Sequence, residues 1–156
     1  MPLLNEVTSL LRVRLDQAVI GLPALAVREI VRAVAITPLP GAPAIIEGAI
    51  NIRGEPVAVV DLRQRLAMTP VALDPGQFLV VLTVGSRVLA VRVDDVDDLI
   101  DVEPSSVARS EELSPTLRGL RGLSAQPDGV LVIHDPEAFI SQAEGEALDA
   151  ALAGRS

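Results

Sequence analysis

Cysteine, lysine, tryptophan and tyrosine are absent from this chain, and histidine occurs once. Without cysteine there is no disulfide framework and no thiolate, and one histidine leaves the Cys/His zinc chemistries nearly without ligands. Without lysine the G-x-x-x-x-G-K-[ST] loop cannot form, and G-x-G-x-x-G does not occur either, so P-loop nucleotide binding is excluded. Phe78 and Phe139 are the only Phe residues, and aromatics make up 1% of the chain. Platforms for stacking bases or sugars are therefore missing, and a core must be built from Val, Leu, Ile and Ala. Basic charge is also scarce: the formal charge is −8 and the pI about 4.6. That is the wrong sign for a protein that neutralises phosphates over a broad face, so nucleic acid is not an expected partner. Although 49% of residues are hydrophobic, no segment runs uncharged for the ~20 residues of a membrane span. The start, MPLLNEVTSLLRVRLD, lacks a basic n-region and an apolar h-region. A soluble, unexported, cytoplasmic protein is expected, and 156 residues suffice for one compact unit with a substantial core.

What is present is valine in short runs, separated by Gly, Pro and Asp, which indicates strands rather than long helices. The best case is QFLVVLTV, then Gly85 and Ser86, then RVLAVRV. A two-residue loop led by Gly suits a type II′ turn, because Gly reaches positive φ without steric cost. Further strands are expected at Leu10 to Leu15, Ala49 to Arg53, Val57 to Val60, Leu99 to Glu103 and Val130 to His134. The fold class is mainly β with a few short helices. Pro43, followed by AIIE and Gly48, predicts a one- or two-turn helix. Asp61 is an N-cap ahead of LRQRLAM, with Gln64 three residues on. Asp135 and Pro136 repeat the device before EAFI. Ser141 and Glu144 form a capping-box pattern, after which Ala147, Leu148, Ala151 and Leu152 make an apolar stripe to Gly154. Val27, Ile30, Val31 and Val34 have helical spacing but are β-branched, so a short helix passing into a strand and a plain helix both fit. Ala108 to Gln126, rich in Ser, Arg and Gly, is the candidate long loop.

From Leu25 to Leu66 the chain reads LAVREIVRAVAITPLPGAPAIIEGAINIRGEPVAVVDLRQRL, and here it resembles the CheW family. The signals are V-x-E-I at Val27 to Ile30, A-P-x-x-x-x-G at Ala42 to Gly48, N-I-R-G at Asn51 to Gly54, and V-V-D-L-R at Val59 to Arg63. A second block, VVLTVGSRVLAVRVDDVDDLIDV, resembles the family's hairpin and V-D-x-V-x-D segment. A third, GLRGL followed by VLVIHDPEAFI, resembles its closing strand and short helix. The resemblance implies two small five-stranded SH3-like β-barrels packed around a shared core within residues 1–140, with residues 141–156 forming a C-terminal amphipathic helix and tail. It also implies a non-catalytic adaptor without cofactors, recruited to membrane-associated receptor arrays. Its implied partners are the regulatory domain of a CheA-type histidine kinase and the cytoplasmic tips of chemoreceptors. Three positions depart from the pattern. Ile20 replaces a frequent aromatic, Leu66 a frequent Phe, and Ala58 a frequent proline, with Pro56 displaced upstream. The first two swap large apolar for smaller apolar side chains, at a cost of ~1 to 3 kcal/mol where the core does not repack.

Arg53 follows from the same register. On N-I-R-G, with Gly54 turning the chain, it can grip a carboxylate bidentately, in this chain or on a partner. Alternatively it forms an ordinary exposed ion pair worth at most ~1 kcal/mol. Resemblance puts it in the partner-contact region, with Glu29 as its pairing residue. The cluster Asp94, Asp95, Asp97 and Asp98 invites a metal reading, but D-x-[DN]-x-[DN]-G is absent and no glycine follows, so no metal is expected. Asp95 and Asp97 read as turn caps, while Asp94 and Asp98, on V-D-x-V-x-D, carry a structural or interface role. Val27, Ile30, Val96 and Leu99 are candidates for an apolar receptor-binding groove where the barrels meet. Core packing is the alternative for each, and the favoured one for Ile30. His134 beside Asp135 lacks a serine or cysteine nucleophile, so a catalytic dyad is rejected. Two rival functions remain: a CheW-like adaptor of a non-flagellar pathway such as twitching motility or second-messenger control, and, remotely, a metal-dependent hydrolase using Asp94, Asp98, Asp135 and His134.

Overall fold

Alternation of branched aliphatic residues sets the architecture, because in the central strands both faces are buried. In the computed structural model, which describes residues 8–103, 107–109, 120–127 and 129–153, the order is β1 (Thr8–Leu15), β2 (Ala18–Pro23), a 3-10 turn (Ala24–Ala26), β3 (Val27–Arg32), β4 (Ile46–Ile52) and β5 (Glu55–Val60). There follow α1 (Leu62–Arg65), β6 (Phe78–Val84), β7 (Arg87–Val93), β8 (Asp95–Val102), β9 (Val107–Arg109), β10 (Leu120–Gln126) and β11 (Gly129–His134). A 3-10 turn (Pro136–Ala138) and α2 (Gln142–Ala153) close the described chain.

The strands form two sheets, ordered β8-β1-β2-β11-β10-β9 and β3-β6-β7-β5-β4. They share one plan. In each, an antiparallel pair (β1 with β2, β6 with β7) joins a second hairpin through one parallel contact, β2 with β11 or β7 with β5. An outer strand then pairs with the first member, β8 on β1 and β3 on β6. Each outer strand also runs on toward the opposite edge. The segment after β3 bonds to β4 through Thr37 and Ala49, with N–H to O distances of 2.9 and 2.8 Å. Correspondingly, β9 follows β8 and pairs with β10. These are the two SH3-like units implied by the resemblance, the first five-stranded when β8 and β9 are counted as one outer strand, the second five-stranded with its edges joined by a single residue pair.

Three apolar clusters follow from this plan. Ile50, Val57, Val59, Leu79, Val81 and Ala90 fill the inside of one sheet. Leu10, Val102, Leu131 and Ile133 fill the other. Between them lies a shared cluster that takes Val13, Leu15, Ile20 and Leu22 from one sheet and Val60, Val80, Leu82, Leu89 and Val91 from the other. Thus Leu79 and Val81 face inward while Val80 and Leu82 face the shared core, as a period of two requires. Each fully buried Val or Leu contributes about 1.5–3 kcal/mol. Phe139, Ile140 and Leu148 close the shared core from the C-terminal end. Two of the three departures from the family pattern, Ile20 and Ala58, are buried in the same cluster, and the third, Leu66, packs against it partly buried.

Local signals were mostly sound. Gly85 has φ +61 while Ser86 does not have positive φ, as a type II′ turn needs. The Asp61 carboxylate accepts from the Gln64 N–H at 3.1 Å, and the Asp135 carboxylate from the Glu137 N–H at 3.0 Å. Ser141 and Glu144 close a reciprocal capping box, at 3.1 and 2.7 Å. Val27 to Arg32 is a strand preceded by a 3-10 turn. Two expectations fail and a third holds in part. The helix after Pro43 does not form: only a turn closes, Ile46 N–H to Pro43 O at 2.9 Å, and Ile46 enters a strand against Val60. Burying Ile45 and Ile46 outweighs the Pro-in, Gly-out signal. The Ala108–Gln126 loop is in part strand, since Leu120–Gln126 pairs with β11; residues 110–119 lie outside the described residues. In α2 the buried face runs through Gly145 and Leu148, with Ala151 and Leu152 half-buried and Ala147 exposed.

Gly48 secures the closure of the second sheet. A Cβ there would stand 2.2 Å from the Thr37 carbonyl oxygen, on the residue pair that joins the edges. Gly48→Ala is expected to cost ~3 kcal/mol and lower the melting temperature by roughly 6–12 °C. The control is Gly41→Ala, where φ is +84 but nothing lies within 4 Å of the added carbon, so only the smaller backbone cost applies. Thermal unfolding of both variants checks the contrast.

Candidate partner-binding site

Parallel pairing of β5 with β7 brings the β4–β5 and β6–β7 turns to the same end of the second sheet, because both strands start just after their turns. Antiparallel pairing of β3 with β6, Val27 opposite Leu82, brings the start of β3 to that end as well. Arg53 and Glu29 are thereby brought together. The guanidinium donates to both carboxylate oxygens, Nη1 to Oε1 at 3.3 Å and Nη2 to Oε2 in a second, shorter contact. The Arg53 side chain is 75% exposed, so the pair is solvent-screened and worth at most ~1 kcal/mol.

The backbone under Arg53 is the more informative feature. Arg53 has φ +50 and Gly54 φ +88, the two positive values of a type I′ hairpin turn. Asn51 steadies it, its Oδ1 accepting the Gly54 N–H at 2.7 Å. Glycine meets such a requirement at no steric cost, whereas an L-residue pays about 1–2 kcal/mol. An arginine held left-handed at an exposed tip is strain of the kind found at contact sites. A groove of about 500 Å³ opens beside it, with Arg28, Arg53 and Arg87 among its charged residues and Pro56, Leu148 and Leu152 among its apolar ones. Its far wall is α2, fastened by Arg87 on Asp149 at 2.8 Å and Arg65 on Glu144 at 2.6 Å. Sequence reasoning found both turns but not this groove, since the parallel contact that aligns the tips has no local signature.

The apolar candidates divide. Val27 and Val96 are half-buried and pack on the shared core, one from each sheet. Ile30 is 40% exposed and Leu99 65%, so Ile30 is not the core residue that was favoured. Among the carboxylates, Asp98 accepts from Arg12 Nε at 3.0 Å and Asp97 from Arg14 Nε at 2.8 Å, across the β1–β8 ladder. Asp95 accepts the neighbouring Val96 N–H. Asp94 is set apart: its oxygens accept from Arg63 at 2.6 Å, Gln77 at 3.0 Å and the Asp16 N–H at 2.7 Å. Burial disfavours its charge, but the bonds from Asp16, Gln77 and Arg63 outweigh that and hold its pKa below the ordinary range. Arg63 carried no assigned role in the sequence reading, although it lies on the quoted V-V-D-L-R. Among the described residues no three His, Asp or Glu side chains are gathered as metal ligands. His134 bonds through Nδ1 to the Asp135 main-chain oxygen at 3.1 Å, not to its carboxylate.

With this geometry in view, the comparisons are consistent. A CheW-like domain model matches residues 9–144, and the chain belongs to that family. It is 31% identical over 131 residues to the chemotaxis protein CheW of Klebsiella aerogenes, covering 83% of this chain and 79% of that protein. It is likewise 31% identical to a probable chemotaxis protein CheW of Rhizobium etli, over 79% of this chain and 81% of the relative. The crystal structure of the scaffolding protein TtCheW from Thermoanaerobacter tengcongensis superposes with a TM-score of 0.77 at 22% identity, covering 85% of this chain and 92% of that one. That likeness speaks for the fold.

His134 yields a pH dependence. It is buried against Phe139, ring centroids 4.9 Å apart, and its Nε2 has no partner. Burial is the largest influence on it and lowers its pKa below 6.5. The unfolded chain therefore takes up a proton that the folded chain refuses. Stability is full above pH ~6.5 and falls as the pH drops below it, before the depressed carboxylates protonate below ~4. His134→Leu is expected to flatten the denaturation midpoint between pH 6.5 and 5; an unchanged slope contradicts this origin.

Proposed function

We propose that this chain is a non-catalytic adaptor of chemotaxis signalling, acting as one domain that couples a CheA-type histidine kinase to chemoreceptors. One barrel edge docks the kinase's regulatory domain, with Arg53 and Glu29 in the contact. The surface between the barrels, with Val27, Ile30, Val96 and Leu99, takes the receptor's helical tip. Asp94 and Asp98 shape that surface rather than carry chemistry. The adaptor works on the cytoplasmic side, drawn to receptor arrays by its partners; no described helix is long and apolar enough to cross a membrane.

The observation that carries this reading is the exposed arginine on a left-handed turn beside a groove. Its bond to Glu29 is exposed and bidentate, so a partner carboxylate can exchange with it at little cost. Modest contacts suffice where an array supplies multivalency.

Purified protein, mixed with the kinase and receptor encoded in the same genome, is expected to retain both, and retention of neither refutes the proposal. Arg53→Asn keeps the turn, since Asn-Gly is a favoured type I′ pair. We expect about tenfold weaker partner binding, ~1.4 kcal/mol, with a melting temperature equal to that of the parent or up to ~4 °C higher. A loss of stability that parallels the loss of binding would instead make Arg53 a structural residue.

A further inference from the structure

The shared apolar core holds the two sheets together, and apolar burial is by itself non-directional. One group of directional bonds between the two sheets centres on Arg63, and a second, from Arg65 and Arg87, fastens the segment after β11 to the second sheet. Arg63, on α1 and 3% exposed, donates from Nη2 to Asp16 Oδ1 at 3.1 Å and to Asp94 Oδ2 at 2.6 Å. Asp16 belongs to the β1–β2 turn of one barrel, where it has φ +54. Asp94 is the single residue between β7 of one sheet and β8 of the other. Its N–H donates to the Arg14 carbonyl at 2.8 Å. Its Oδ1 accepts from Gln77, whose own Oε1 accepts from the buried Arg92 at 2.9 Å. Arg92 in turn holds Glu47 of β4 and the Val71 carbonyl. The network thus runs from the turn of one barrel, through the crossover, into the sheet of the other.

Arg63 Nε is buried without an acceptor. A guanidinium so placed is not arranged for the greatest number of hydrogen bonds, and a buried pair of this kind is weak evidence for stability. Its better-attested use is to select one arrangement among several that an apolar interface tolerates equally.

We propose that Arg63 and Asp94 are positioning residues: their ion pair sets the direction in which β8 leaves β7, and so places Val96 and Leu99 relative to β3. This rests on the adaptor reading for the purpose of the groove, but not for the geometry itself. Asp94 acts on a receptor through the strand it anchors, without touching it.

The chain contains no cysteine, so two introduced ones give unambiguous spin labels. Ser86→Cys on the β6–β7 turn and Ala125→Cys on β10 are both exposed, one in each barrel. Pulsed electron resonance on the full chain then measures the inter-barrel distance distribution with no partner present. In the parent a narrow distribution is expected. Asp94→Asn is expected to broaden it and to lower the melting temperature. The double variant Arg63→Met, Asp94→Asn removes both charges, and the expected result is a recovered melting temperature with the distribution still broad. Both variants should bind a receptor-tip peptide about tenfold more weakly while binding to the kinase regulatory domain stays within twofold. A double variant whose distribution is as narrow as the parent's shows that the apolar core alone sets the angle, and overturns the inference. If the parent binds neither partner, the adaptor reading fails, and the distance measurement still decides the positioning role.

Discussion

Burial of both faces in the central strands is the constraint on which the rest depends. Strands β5, β6 and β7 each send alternate residues into their own sheet's cluster and into the core shared with the other sheet. A strand under that demand leaves little room for polar side chains, and Arg92 near the end of β7 is buried only because Glu47, Gln77 and the Val71 carbonyl satisfy it. Val, Leu, Ile and Ala meet that demand without polar atoms. That accounts for a chain with 49% hydrophobic residues and 1% aromatics. Phe139 is fully buried where the shared core ends against α2, and Phe78 packs against the same core partly buried.

Charge is thereby driven to edges, turns and the crossover. On the outer strand β8, Asp97 and Asp98 pair with Arg14 and Arg12 of β1. An edge lined with carboxylates resists pairing with a strand of another molecule. Backbone pairing with another strand is disfavoured there, and Leu99 is an exposed apolar side chain on that strand. At the opposite end, parallel pairing collects two turns and a strand start, and the exposed arginine stands among them.

Features encoded by neighbours in sequence were legible. The Gly85 turn, the Asp61 and Asp135 caps and the Ser141–Glu144 box each need only residues within one turn, and the spacing of those residues announces them. Where a local signal competed with burial, burial prevailed, as at Ile46. Val27 to Arg32 shows the intermediate case: β-branched content argued strand, helical spacing argued helix, and pairing with β6 decided. The strand at Leu120–Gln126 was hidden by its Arg, Gly and Ser content, which reads as loop until a partner strand is supplied. In the candidate site, the register of motifs was enough to name Arg53 and Glu29. The Arg63 network was not legible, because Asp16, Arg63 and Asp94 are far apart in sequence and no periodicity links them.

The ion pairs of this molecule therefore separate by environment into different kinds of work. Arg53, 75% exposed, holds Glu29 weakly, and a competing carboxylate loses little in displacing it. Arg63, 3% exposed, lies out of reach of a competing carboxylate, and losing Asp94 leaves its buried charge with Asp16 alone. An adaptor needs both kinds. Its contact surface must let go as well as bind, since several contacts of modest strength add up in an array, while the two halves presenting those contacts must keep one relation to each other. The same chemistry serves both needs, and the depth at which it is placed decides which.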